Sequence, residues 1–144
     1  MIASLVAAVC AGVFAGAALY VTAVEHPARM SCGVALAVRE FGPSYRRGAV
    51  VQISAAVVGA MAGLVGFWSQ RDFWLLVASL LLAVLIPFTL VFIMPTTKQL
   101  LDPTLDADSG RAAALLARWG RRHAVRTVFG LLAFLILLWR VSNG

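Results

Sequence analysis

Charge is scarce in this chain, and acid scarcer still. Of 144 residues six are Asp or Glu against twelve Lys or Arg, so charged side chains make up only 12%, about half of what a soluble domain carries on its surface. That shortage excludes an ordinary water-soluble fold. Two cysteines, Cys10 and Cys32, cannot staple a secreted disulfide scaffold, and there is no Gly period for a collagen-like fibre. No Gly-rich loop follows a strand, so a tightly bound flavin or nicotinamide is not expected. What is abundant instead is apolar surface: 62% of residues are hydrophobic and the mean hydropathy is +0.93, which also excludes disorder.

Three uncharged runs, Met1 to Val24, Gly48 to Ser69 and Phe73 to Met94, are each long enough to cross hydrocarbon. A fourth, Thr127 to Trp139, would rise only about 20 Å against a core of about 30 Å. Extending it backward draws Arg126, His123 and Arg122 to membrane depth, where ionisable groups face a bundle interior or a cavity. The expected fold is therefore all-α: one membrane domain over residues 1–144, an integral four-helix bundle. Its spans lie at about 1–24, 48–69, 73–94 and 119–140, with connections at 25–47 and 95–118.

Ten basic residues flank or occupy the two long connections, whereas only Arg71 and Arg140 lie at the other end. The positive-inside tendency makes both connections cytoplasmic and both termini non-cytoplasmic, in a bacterial inner (plasma) membrane. Trp68, Trp74 and Trp139 fall at helix ends on the poorly charged side, as interfacial indoles do. The net charge of +6 then reflects topology and anionic lipid rather than nucleic acid. The first span lacks a basic leader and exceeds a signal-peptide core in length, so it is expected to remain as a span. Within the first connection, Cys32 to Val38 reads as a short interfacial helix closed by Gly42 and Pro43. Tyr45-Arg46-Arg47-Gly48-Ala49-Val50 faintly parallels Gly120-Arg121-Arg122-His123-Ala124-Val125, a likeness that basic caps alone would also produce. Gly12 with Gly16, and Gly59 with Gly63, offer close helix approach within the bundle.

All four spans bring polar groups to the basic end. Glu25 and His26 close span one, Tyr45 and Arg46 open span two, Pro95 and Thr96 close span three, and Trp119, His123 and Arg126 share one face of span four. Arg118 and Arg122 form a neighbouring stripe expected to snorkel to phosphates.

These residues also carry a family likeness. Glu25-His26-Pro27, Tyr45-Arg46-Arg47-Gly48, Pro87-Phe88-Thr89 with Met94-Pro95-Thr96, and Trp119-x-x-x-His123-x-x-Arg126 together resemble the anthrone oxygenase-like family of small four-span membrane proteins. The likeness covers nearly the whole chain; one departure is Thr97, where many relatives carry asparagine. It implies an oxidoreductase that converts a flat, apolar anthrone to an anthraquinone with dioxygen. On that reading His26 or His123 is the base, since an imidazole titrates near working pH. Arg126, or Arg46, cradles the phenolate-like anion, and Trp119 stacks on the rings. Glu25, Tyr45 and Thr96 complete the substrate contacts, Glu25 either orienting a histidine or pairing with Arg29. No cofactor is expected, and the partners are membrane lipid, a small aromatic substrate and dioxygen.

Two readings from other classes stand beside this one. His26 and His123 would ligate a metal or haem between helices, or the polar residues would be topology anchors of a non-catalytic lipid- or partner-binding module.

Overall fold

The computed structural model describes residues 1–143. Four helical rods long and apolar enough to cross a membrane run Ile2–Ser31, Val34–Gln70, Phe73–Leu100 and Gly110–Ser142. The first comprises α1 (Ile2–Tyr20), a π-helical turn (Val21–Glu25) and α2 (His26–Ser31); the second is α3 (Val34–Gln70). The third comprises α4 (Phe73–Phe88), a second π-turn (Thr89–Ile93) and α5 (Met94–Leu100), and the fourth is α6 (Gly110–Ser142). The rods form an up-and-down bundle in which each packs mainly on two neighbours, α1 on α3 and α6, and α4 on the same pair.

Local chemistry sets the joints. Between α2 and α3, Gly33 takes φ 95°, a conformation that suits glycine because a Cβ would clash there. Between α3 and α4 only Arg71 and Asp72 intervene; Arg71 adopts φ 55° and Asp72 caps α4 by accepting from the Trp74 amide. Arg140 from α6 pairs with Asp72, so the α3–α4 turn and both termini meet at one end, where Gln70 also donates to Ser4 Oγ at 2.7 Å. Partial burial would raise the Asp72 carboxyl, but the Arg140 and Trp74 hydrogen bonds outweigh it and hold the group below the ordinary carboxylate range. At the opposite end Ser109 caps α6 by accepting from Ala112 N.

The first connection departs from expectation. The segment from Cys32 to Val38 is not a separate interfacial helix: α3 begins at Val34 and runs without a break through Gly42 and Pro43 into the second span. Gly42 and Phe41 are buried there, and a Cβ on Gly42 would lie 3.3 Å from Leu101. Tertiary packing thus holds the helix through a residue pair that by itself favours stopping it. Pro27 and Pro95 likewise do not end their rods. Each follows a π-turn and stands in the first turn of the short helix beyond, where its missing N–H is least costly.

The interior is built of small residues in two apolar layers. Toward the termini, Ala7, Ala11, Ala56, Ala60 and Ala78 surround Phe14, Leu82 and Leu137; toward the basic end, Phe41, Ile93, Leu116 and Trp119 form the second layer. Large side chains such as Val50, Met61, Val65 and Leu135 point outward, the arrangement suited to lipid rather than water. A Cβ on Gly59 would come within 3.1 Å of Cys10 and 3.0 Å of Leu82, and one on Gly63 would fall on Ser79 Oγ. Gly59 and Gly63 therefore set the approach of α3 to α1 and α4, while Gly16 faces open space and packs nothing.

Gly63→Val should lower stability by about 1–3 kcal/mol through overpacking, whereas Gly16→Ala should leave it unchanged or raised. Thermal unfolding of both variants in one detergent checks the pair.

Candidate functional site

Between the two apolar layers lies a polar stratum drawn from all four rods. Its centre is Arg126 of α6, only 5% exposed. Its Nη2 donates to Gln52 Oε1 of α3, and its Nη1 donates to Thr89 Oγ1 in the second π-turn at 3.3 Å. The guanidinium carbon sits 5.2 Å from the Phe14 ring centroid. Among the described residues no carboxylate pairs with Arg126, and its Nε is buried without a partner. A buried cation is ordinarily paired with an anion, because removing it from water is costly; here only neutral groups contact it.

One turn away stands His123, 3% exposed. Its Nδ1 lies 3.0 Å from Thr22 Oγ1, which lies 2.8 Å from Thr127 Oγ1. Thr127 Oγ1 also lies 3.0 and 3.2 Å from the backbone carbonyls of His123 and Ala18, to which it donates. With Thr127 donating there, Thr22 is free to donate to Thr127 and accept from His123 Nδ1–H, the arrangement that leaves the Nε2 lone pair of neutral His123 unused.

A cavity of about 270 Å³ opens beside these groups, lined by His123, Arg126, Trp119, Tyr45, Gln52 and Arg47 among others. The Trp119 ring stacks on His123 at 4.8 Å with an angle of 26°, and its Nε1 is buried without a partner. Glu25, Arg29 and Ser44 complete the lining. Arg29 is 6% exposed, pairs with Glu25, lies 2.7 Å from Glu40 and donates to Ser44 Oγ at 3.1 Å.

The expected constellation is thus brought together in part. His123, Arg126, Trp119, Tyr45 and Glu25 all line the cavity. His26 does not: its ring lies 5.4 Å from that of Trp119 and against the backbone of Gly120, with Nδ1 buried and unpartnered. Arg46 is exposed and does not line the cavity, whereas its neighbour Arg47, also exposed, does. Thr96 is buried away from the cavity and accepts from Arg122 Nη1 at 2.8 Å. Arg122 also donates to the Phe92 carbonyl in the π-turn, so it turns inward rather than to headgroups. Thr97 donates to Ile93 O on its own helix. Glu25 pairs with Arg29 rather than orienting a histidine. No three His, Cys, Asp or Glu side chains converge among the described residues, so His26 and His123 would need further donors from elsewhere to complete a metal's coordination shell.

Gln52, Thr22 and Thr127 escape a reading guided by charge, since each is a neutral polar residue in or beside a long apolar run. The available signal was the polar side chain itself at hydrocarbon depth.

An apolar four-helix membrane bundle with a buried arginine, an oriented histidine and an aromatic wall around one cavity defines the class of protein. A family model described as anthrone oxygenase matches residues 41–136, and the chain belongs to that family. The match includes Gln52, Trp119, His123 and Arg126, and begins after Glu25 and His26. Neither the curated proteins nor the solved structures yielded a match.

Gln52→Ala removes the charge-assisted hydrogen bond to Arg126. It should lower stability by about 1–3 kcal/mol, read as a reduced unfolding midpoint in detergent.

Proposed function

We propose that this protein is a membrane-embedded oxygenase that converts a flat, apolar anthrone-like or quinol-like substrate with dioxygen, using His123 as base and Arg126 as anion cradle. The observation that carries the proposal is Arg126: a guanidinium buried at the wall of a cavity, held by Gln52 and Thr89 with no carboxylate partner. Such a site favours a ligand that becomes negative inside it.

The chemistry follows from the groups present. A three-ring ketone with an acidic methylene enters from the bilayer and lies against Trp119 and Tyr45. His123 Nε2 takes one methylene proton, while the Thr22 and Thr127 hydroxyls hold the ring in the tautomer that can accept it. The charge left behind spreads onto the ring oxygen, where the Arg126 guanidinium stabilises it. The electron-rich carbanion reacts with dioxygen directly. Overall the methylene carbon loses two hydrogens and gains one oxygen, and the second oxygen atom leaves with those hydrogens as water. The two C–H electron pairs supply the four electrons that reduce dioxygen, so no external reductant is required.

His26 supports the reading indirectly by packing on Trp119 and Gly120. We further place the basic connections on the cytoplasmic face and the termini outside, in a plasma membrane, from the ten-to-two bias of Lys and Arg between the ends.

Oxygen uptake and quinone absorbance with an anthrone, measured on purified protein in detergent, test the proposal. His123→Ala should lower kcat by about 10²-fold or more, and His26→Ala by much less. Gln52→Glu gives Arg126 an internal counter-ion; it should retain or raise the unfolding midpoint while lowering turnover by about 10²-fold. Turnover unaffected by His123→Ala and Gln52→Glu would overturn the assignment.

A further inference from the structure

A second, smaller cavity of about 60 Å³ lies on the far side of Arg126 and Gln52 from the first. Those two residues line both cavities, so their hydrogen-bonded pair is the partition between them. The rest of the wall is Phe14, Ile53, Ala56, Leu85, Ile86, Leu90 and Met94, with Thr89 beside Arg126. Ile53, Ile86 and Leu90 are 45%, 36% and 59% exposed, which puts the mouth on the outer surface between α3 and α4, facing hydrocarbon.

We propose that this pocket is the dioxygen site, and that the gas enters it sideways from the bilayer. The inference rests on the oxidative reading above, and three observations select the occupant. The volume admits a molecule of a few atoms and excludes a three-ring substrate. The wall is apolar apart from its inner edge, and an apolar cavity of this kind stays dry and takes up nonpolar gases. The inner edge is the Arg126–Gln52 pair, so a neutral diatomic meets apolar walls on entry, waits beside that pair and passes it into the large cavity, where one of its oxygens bonds to the carbanion carbon and the negative charge moves from that carbon onto the outer oxygen. Phe14, over which Arg126 stacks, and Thr89, which accepts from it, hold that cation at the boundary.

Arg126 therefore borders both the cavity that takes the organic substrate and the pocket that holds the gas before it reacts. Separate entrances also keep the organic substrate from blocking the gas.

Two measurements decide the proposal. Crystals of the unmodified protein pressurised with xenon should carry a xenon peak among Phe14, Ala56 and Leu85. A detergent or acyl chain filling the pocket, or xenon found only elsewhere, would overturn it. In steady-state kinetics Ala56→Leu, and Ile53→Phe at the mouth, should raise the KM for dioxygen about fivefold or more, with the KM for the anthrone changed by less than about twofold. Equal KM values for dioxygen in wild type and both variants would also overturn it. If the unmodified protein turns over no anthrone at all, the oxidative reading fails, while the xenon experiment still decides whether the pocket takes a nonpolar gas.

Discussion

The structure turns on one guanidinium held at hydrocarbon depth. Arg126 of α6 is surrounded by the other three rods, and each contributes a group that suits it: Gln52 from α3, Thr89 from the second π-turn, and the Phe14 face from α1. Replacing this stratum with aliphatic side chains would join the two apolar layers into one continuous core, and buried charges often cost more than such packing. Arg126 is kept under those conditions without a carboxylate beside it, and a cavity lies on each of its two sides.

The π-turns belong to the same design. In α1–α2 the turn Val21–Glu25 precedes His26-Pro27, and in the third rod Thr89–Ile93 precedes Met94-Pro95. Each π-turn ends just before the proline that lacks an N–H, and each provides a residue to the polar stratum: Thr22 to His123, and Thr89 to Arg126. The wider turn re-aims these hydroxyls inward without ending the rod. The matching placement of the two π-turns, with the long rods α3 and α6 behind them, makes each half of the molecule a hairpin of the same plan. The paired arginines before the apolar segments of α3 and α6 have different surroundings. Arg122 caps the Phe92 carbonyl, whereas Arg47 borders the cavity.

Much of the architecture was legible from local information. Uncharged runs of about 20 residues announce spans, and the shared face of Trp119, His123 and Arg126 follows from helical spacing. The helix boundaries were less legible. Gly42 and Pro43 carry a stop signal that packing against Leu101 overrides, and Pro95, expected to close its span, stands in the first turn of a continuing rod. Within the site, charge drew notice to Arg46 and Glu25, whereas Gln52, Thr22 and Thr127 carry no charge and barely disturb the hydropathy of their spans.

By itself the sequence determined how many spanning rods there are, that they suit a membrane, and that an arginine and a histidine in the fourth must be sheltered, since all three depend on composition and on neighbours within a turn or two. Only the tertiary structure decided that Arg47 and not Arg46 faces the cavity, that His26 supports Trp119 from behind, and that Gln52 rather than a carboxylate receives Arg126. Those outcomes depend on partners far apart in the chain, 74 residues for Gln52 and Arg126. They follow from the rotation and height at which small-residue faces let the rods close on one another, which no single span encodes.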